Sequence, residues 1–268
     1  MQDHEVVANA TELQERDLLD SDAMWKLLDW IDESKLNWRY LSFNPRAMYM
    51  LKKNMHKIEW DSLSKNPSAM PLLEKNQDKI DWYFLSMNPS AIKMLEENPD
   101  KIWWKTISTN ESAVHLLQQN PDKINWENIG ENPAAISIIE ENIDRIHPVY
   151  LSKNPSAMHI IQEHPQKMVW YAMCGNPSET AMDMIRENFQ NITGPSASGK
   201  WIYLSGNPNS KAIDILREHQ ENIIWDMFSK NPGIFEVDYD FLRKRMNLIR
   251  DELMGRAWHP SRFEEWCL

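Results

Sequence analysis

A unit of 22 residues, clearest in Trp82–Trp103 as WYFLSMNPSAIKMLEENPDKIW, returns along most of this chain. Tryptophan opens it at Trp38, Trp60, Trp82, Trp104, Trp126, Trp170, Trp201 and Trp225, and Pro148 stands once in the series. Six residues later every unit carries an asparagine: Asn44, Asn66, Asn88, Asn110, Asn132, Asn154, Asn176, Asn207 and Asn231. Proline follows each of them except Asn110, where Glu111 takes its place. A unit this short cannot bury its apolar face alone, so neighbours must stack. A repeat architecture follows before any residue has a role.

Within the unit, Asn88-Pro89 and Asn98-Pro99 each set a capping side chain before the residue suited to the first position of a helix. Each proline also pushes its predecessor out of the α region, ending whatever came before. Two short helices per unit are expected. The first, 89–97, gathers Ala91, Ile92, Met94 and Leu95 on one face and leaves Lys93, Glu96 and Glu97 outside. The second, 99–108, places Ile102 and Trp104 on nearly opposite sides, which reads as a helix buried on two sides, with a 3₁₀ turn or an extended piece as the alternative. A leucine-rich horseshoe has a similar period but needs an uninterrupted strand, which Asn-Pro would cut short. The fold class is thus all-α: a solenoid of short helix pairs, capped at both ends.

The 268 residues suit one continuous array, and 42% hydrophobic with 26% charged residues is ordinary for a folded chain. Thirteen tryptophans argue against disorder, and seven glycines are too few for an enzyme rich in tight turns and phosphate loops. Net charge is −11, no apolar run reaches membrane-spanning length, and the N-terminus lacks a signal-peptide pattern, so an intracellular protein is expected. Cys174 and Cys267 suggest neither a disulfide framework nor a metal site. Residues 1–20 read as a flexible acidic arm, 21–37 as an N-terminal capping half-repeat, 38–237 as the solenoid, and 238–268 as C-terminal capping helices. Within the last, a helix over 241–258 places Leu242, Met246, Ile249 and Leu253 on one face. His259 reads as a turn residue.

The tryptophans, at fixed phase between apolar positions, are expected in the core, each contributing on the order of 4 to 5 kcal/mol gross. Two residues before each asparagine stands a small side chain, serine in most units, Gly130 and Cys174 in two, which implies close approach of helices. A basic ladder, Lys57, Lys79, Lys101, Lys123, Arg145 and Lys167, runs beside Asp78, Asp100, Asp122 and Asp144 and reads as a solvated face, disfavouring nucleic acid as a partner. The rhythm breaks between Trp170 and Trp201, where a loop insertion is expected at about 189–200. It contains GPSASGK, with Gly194, Gly199 and Lys200 matching a phosphate loop up to the last position, where Trp201 replaces Ser or Thr. The preceding residues are too polar for the required buried strand, so the motif reads as a Gly/Ser loop. No catalytic residue, cofactor or metal is expected.

The tandem W-x-x-L-S-x-N-P-S-A-I units, ended by Arg256-Ala257-Trp258-His259-Pro260-Ser261-Arg262-Phe263, resemble the Asn-Pro/Trp repeat proteins of giant DNA viruses of protists, including the mimivirus and marseillevirus types, over about residues 21–266. The resemblance implies a viral protein made in host cytoplasm and brings no catalytic residues. The expected function is a non-enzymatic scaffold for protein–protein interaction, in the virion as a minor capsid or associated protein, with a host-directed adaptor as the alternative. The expected partner is protein; small molecules and membranes are disfavoured. An open stack of eight layers would span roughly 70 to 80 Å.

Overall fold

The computed structural model describes residues 20–191 and 195–257. The chain divides into two compact units, one running from Trp30 to Ile234 and the other combining the segments before and after it.

In the larger unit each repeat is a set of very short helices fixed by caps. Trp82–Leu85 is α-helical, started by Asp81, whose carboxylate accepts from the Phe84 N–H at 3.0 Å. Asn88 then stops the chain in an extended conformation and its Oδ1 accepts from the Ser90 N–H, while Pro89 opens a 3₁₀ turn, Pro89–Ala91, that passes into the α-helix Ile92–Glu97. Three-residue 3₁₀ turns at the start of an α-helix are a common solution where orphan N–H groups must be shared out. The expected second helix, 99–108, does not form as one piece. It is a 3₁₀ turn, Pro99–Lys101, then an extended residue, Ile102, and only then the helix Trp104–Ile107 of the next repeat. The break has a physical reason: it turns the Trp103 N–H onto Ser86 Oγ, near the start of the same unit, at 3.0 Å, a bond that an unbroken helix would consume internally.

The core is aliphatic. Leu85, Ala91 and Leu95 are fully buried, and the same three phases supply Leu63, Ala69 and Leu73 one repeat earlier and Ile107, Ala113 and Leu117 one repeat later. Through this core runs a ladder of asparagines, all nine buried to within 1%. Asn88 Nδ2 donates to Ser64 O and Asn66 O of the repeat before, both at 3.0 Å, and Asn110 does the same to Ser86 O and Asn88 O. The series continues unbroken to Asn231, which donates to Ser205 O and Asn207 O.

The array is not an open rod. Asn44, in the first repeat, donates to Ser229 O at 3.1 Å and Asn231 O at 2.9 Å in the last. Asn37 N–H meets Ser229 Oγ at 2.9 Å, and Arg46 donates to Pro232 O. The two asparagine bonds are the same links that join every other pair of neighbours, while the Arg46 bond belongs to this pair. Identical links impose an equal rotation at each step, and about 40° per step closes nine repeats into a ring. The expected capped ends therefore meet each other: Trp30 stacks near Phe228 at 5.7 Å, and Lys35 lies over the Trp225 ring.

The insertion is largely helical where it is described. Pro195–Ser205 forms one helix running straight into the Trp201 repeat, in place of the loop expected at 189–200; Gly194 lies outside the described residues.

In the smaller unit, β1 (Trp25–Leu27) pairs antiparallel with β2 (Phe235–Val237), Lys26 opposite Glu236. Part of the expected half-repeat thus becomes a strand. Helix Tyr239–Ala257 follows, its start capped by Asp238, which accepts from Phe241 N–H, in agreement with the helix expected over 241–258. Met246, placed by the sequence on its apolar face, is 65% exposed. The expected arm before residue 20, and His259 with the rest of the terminal segment, lie outside the described residues.

Candidate functional site

The recurring residues hold the ring together in ways that differ from the expected hydrophobic spine of indoles. The tryptophans are only half-buried, and the basic ladder, exposed at Lys57, Lys79, Lys101, Lys123 and Arg145 as a solvated face would be, also lays each cation over the indole that opens its own unit. Lys57 lies over Trp38 and Lys79 over Trp60 at 4.3 Å, Lys101 over Trp82 and Lys123 over Trp104 at 4.4 Å, and Arg145 over Trp126 at 3.8 Å. Where Pro148 replaces tryptophan, Lys167 has no such ring and donates instead to Ile146 O at 3.2 Å. Cation and indole are thus one clamp.

The serine row is also more than a size limit. Ser64 Oγ donates to Trp60 O and accepts the N–H of Asp81, tying the end of the unit back to its first helix, and Ser42, Ser86, Ser108 and Ser205 accept in the same way. At Cys174, which takes the serine position, the thiol donates weakly to Trp170 O and burial pushes it up to about 12.

Gly199 and Lys200 serve packing as well. Both lie within the Pro195–Ser205 helix; a Cβ on Gly199 would meet the Tyr171 ring at 3.0 Å. Lys200 is buried, donates to Phe189 O at 3.2 Å and covers the Phe189 ring at 4.1 Å.

The phase that sequence reasoning passed over is the residue just before each ladder asparagine. It supplies Phe43, Lys65, Met87, Gly206 and Lys230 to one cavity of about 410 Å³. Tyr40, Tyr83 and Phe84, from the helix before that phase, complete the wall. These residues belong to repeats 8, 9, 1, 2 and 3, which are consecutive only because the ring is closed. Two further members of the phase, Glu131 and Lys153, form an ion pair at 2.5 Å, and Lys153 also lies over the Tyr150 ring.

The electrostatics tie these groups into one interior. Burial pushes the Lys65 ammonium below its usual range, with Glu131 opposing and Lys153 reinforcing the shift. Burial, with the neighbouring Lys65 charge, brings Lys230 down to about 8. Burial raises Tyr150 and Tyr203, and the Glu131 charge adds to both. Among the described residues neither Lys65 nor Lys230 has an ion-pair partner, while Lys153 already neutralises Glu131. Lys65 and Lys230 thus stand in this interior without a carboxylate partner of their own, and burial disfavours the charged form of both. An anion placed between them would favour that charged form, so the pair is suited to anions.

No family model matches the chain, and neither a curated protein nor a solved structure does. No cluster of metal-ligating side chains occurs among the described residues, and no helix among them is long and apolar enough to cross a membrane.

Proposed function

We propose that the protein is a non-enzymatic scaffold for protein–protein interaction, in which a closed ring holds a partner on a rigid frame. The observation that carries this reading is an aromatic path leading out of the cavity wall. Phe43 meets Phe84 at 5.4 Å, Phe84 meets Tyr83 at 5.2 Å, and Tyr83 meets Trp103 at 5.6 Å. Trp103 is 53% exposed, the largest side chain of the ring left so open, and Tyr83 is 39% exposed. Exposed Trp and Tyr on a rigid frame are what interface hot spots are made of, because they bring large contact area at little entropic cost.

The resemblance to giant-virus repeat proteins supports a virion-associated structural role, with a host-directed adaptor as the alternative. The test is affinity purification from infected cells with the parent chain and Trp103→Ala in parallel. A protein retained by the parent and lost with Trp103→Ala supports the reading; identical captures overturn it. Mass spectrometry of purified particles then separates virion component from adaptor.

A further inference from the structure

The cavity inside the ring goes beyond a scaffold role. We propose that it is a binding site for a small organic dianion carrying an aromatic ring, of the phosphate monoester class, with Lys65 and Lys230 taking the anion and the Tyr40, Phe43 and Phe84 rings taking the planar group. Four observations converge on it. The volume, about 410 Å³, lies in the range of small-molecule sites and leaves most of itself empty around a bare phosphate or sulfate. The two lysines line the same wall and have no ion-pair partner among the described residues, whereas Lys153 is already paired with Glu131. Two amines without a carboxylate partner can each meet one negative charge, which matches a phosphate monoester above its second ionisation, near pH 6. The rest of the wall is aromatic, and Tyr40 and Phe43, at 6.2 Å, with Phe84 beside Phe43, present rings beside the charges.

Alternative ligands fit less well. A cation meets net positive charge. A nucleic acid duplex, about 20 Å across, has no room in the cavity, so only a single nucleotide or a smaller unit of that chemistry fits. A neutral aromatic fills the apolar wall but leaves both ammonium groups uncompensated.

The test is calorimetry on the full chain at pH 7 with phenyl phosphate, inorganic phosphate and phenol. Phenyl phosphate is expected to bind at least tenfold tighter than either fragment. Lys65→Met and Lys230→Met are each expected to weaken it at least tenfold, with Tm at or above that of the parent because neither amine has an ion-pair partner to lose. No heat with millimolar phenyl phosphate, affinity unchanged in both variants, or a lowered Tm in both overturns the proposal. A peptide carrying phosphotyrosine separates the sources of the same chemistry: binding as tight as phenyl phosphate places the anion on a modified protein segment, and failure to bind places it on a free metabolite. The outcome is independent of the Trp103 experiment, since Trp103 does not line the cavity.

Discussion

At the scale of the residue, asparagine does three jobs that no other side chain combines. Its Oδ1 caps the following turn by accepting from the N–H two residues on, and its Nδ2 donates two bonds to carbonyls of the repeat before, as Asn88 does with Ser90 N–H, Ser64 O and Asn66 O. Ser64, Asn66 and Asn88 are fully buried, so losing the amide leaves the two carbonyls unmatched. Asn88→Ala is expected to lower stability by about 3 to 5 kcal/mol in urea unfolding. Asn88→Asp keeps the cap but places a buried carboxylate against two carbonyls, so it is expected to cost more than alanine. If Asp proves milder than Ala, the donor role of the ladder is wrong. The Trp–cation clamp works at the same scale: indole and ammonium come from opposite ends of one unit, and neither position explains the other until both are in place.

At the scale of the element, the helices are too short to be stable alone, because nucleation costs more than four or five residues return. Their ends are therefore fixed from outside, by asparagine caps and by serine hydroxyls that accept from the far end of the unit. Glu179–Asn188, Ser210–Glu218 and Pro195–Ser205 are longer, and the last is held by Lys200 on Phe189. Lys200→Ala is expected to destabilise the protein by about 1 to 2 kcal/mol by loss of that hydrogen bond and ring contact. Its affinity for phenyl phosphate is expected to stay that of the parent. Lost phosphate affinity with unchanged stability would restore the phosphate-loop reading of Gly199-Lys200.

At the scale of the whole repeat array, closure changes both energetics and function. In an open array the first repeat has one neighbour, and its ladder residue matters little; in the ring it has two. Asn44→Ala is therefore expected to cost the same as Asn88→Ala to within about 1 kcal/mol in urea unfolding. A cost near zero would mean that the first and last repeats do not hold each other in solution. Closure also makes the cavity, since Tyr40 and Lys65 face it from the early repeats and Gly206 and Lys230 from the late ones.

The sequence by itself determined the repeat, its period, the helical class, the caps at the ladder asparagines such as Asn88 and the buried Leu and Ala phases, because each of these rests on local physics repeated many times. Asn98, read as a second cap, makes no cap bond and donates back to Met94 O instead. The sequence misplaced the Ile102–Trp104 step, since opposite-facing apolar residues fit both a two-sided helix and a broken one, and only the Trp103–Ser86 bond across the unit selects the break. The tryptophan and lysine stripes were visible, but their pairing joins opposite ends of a unit. What only the tertiary structure decided is the ring: a per-repeat rotation is the sum of small angular choices that no single unit reveals, and it alone turns a rod with two ends into a closed wall around Lys65 and Lys230.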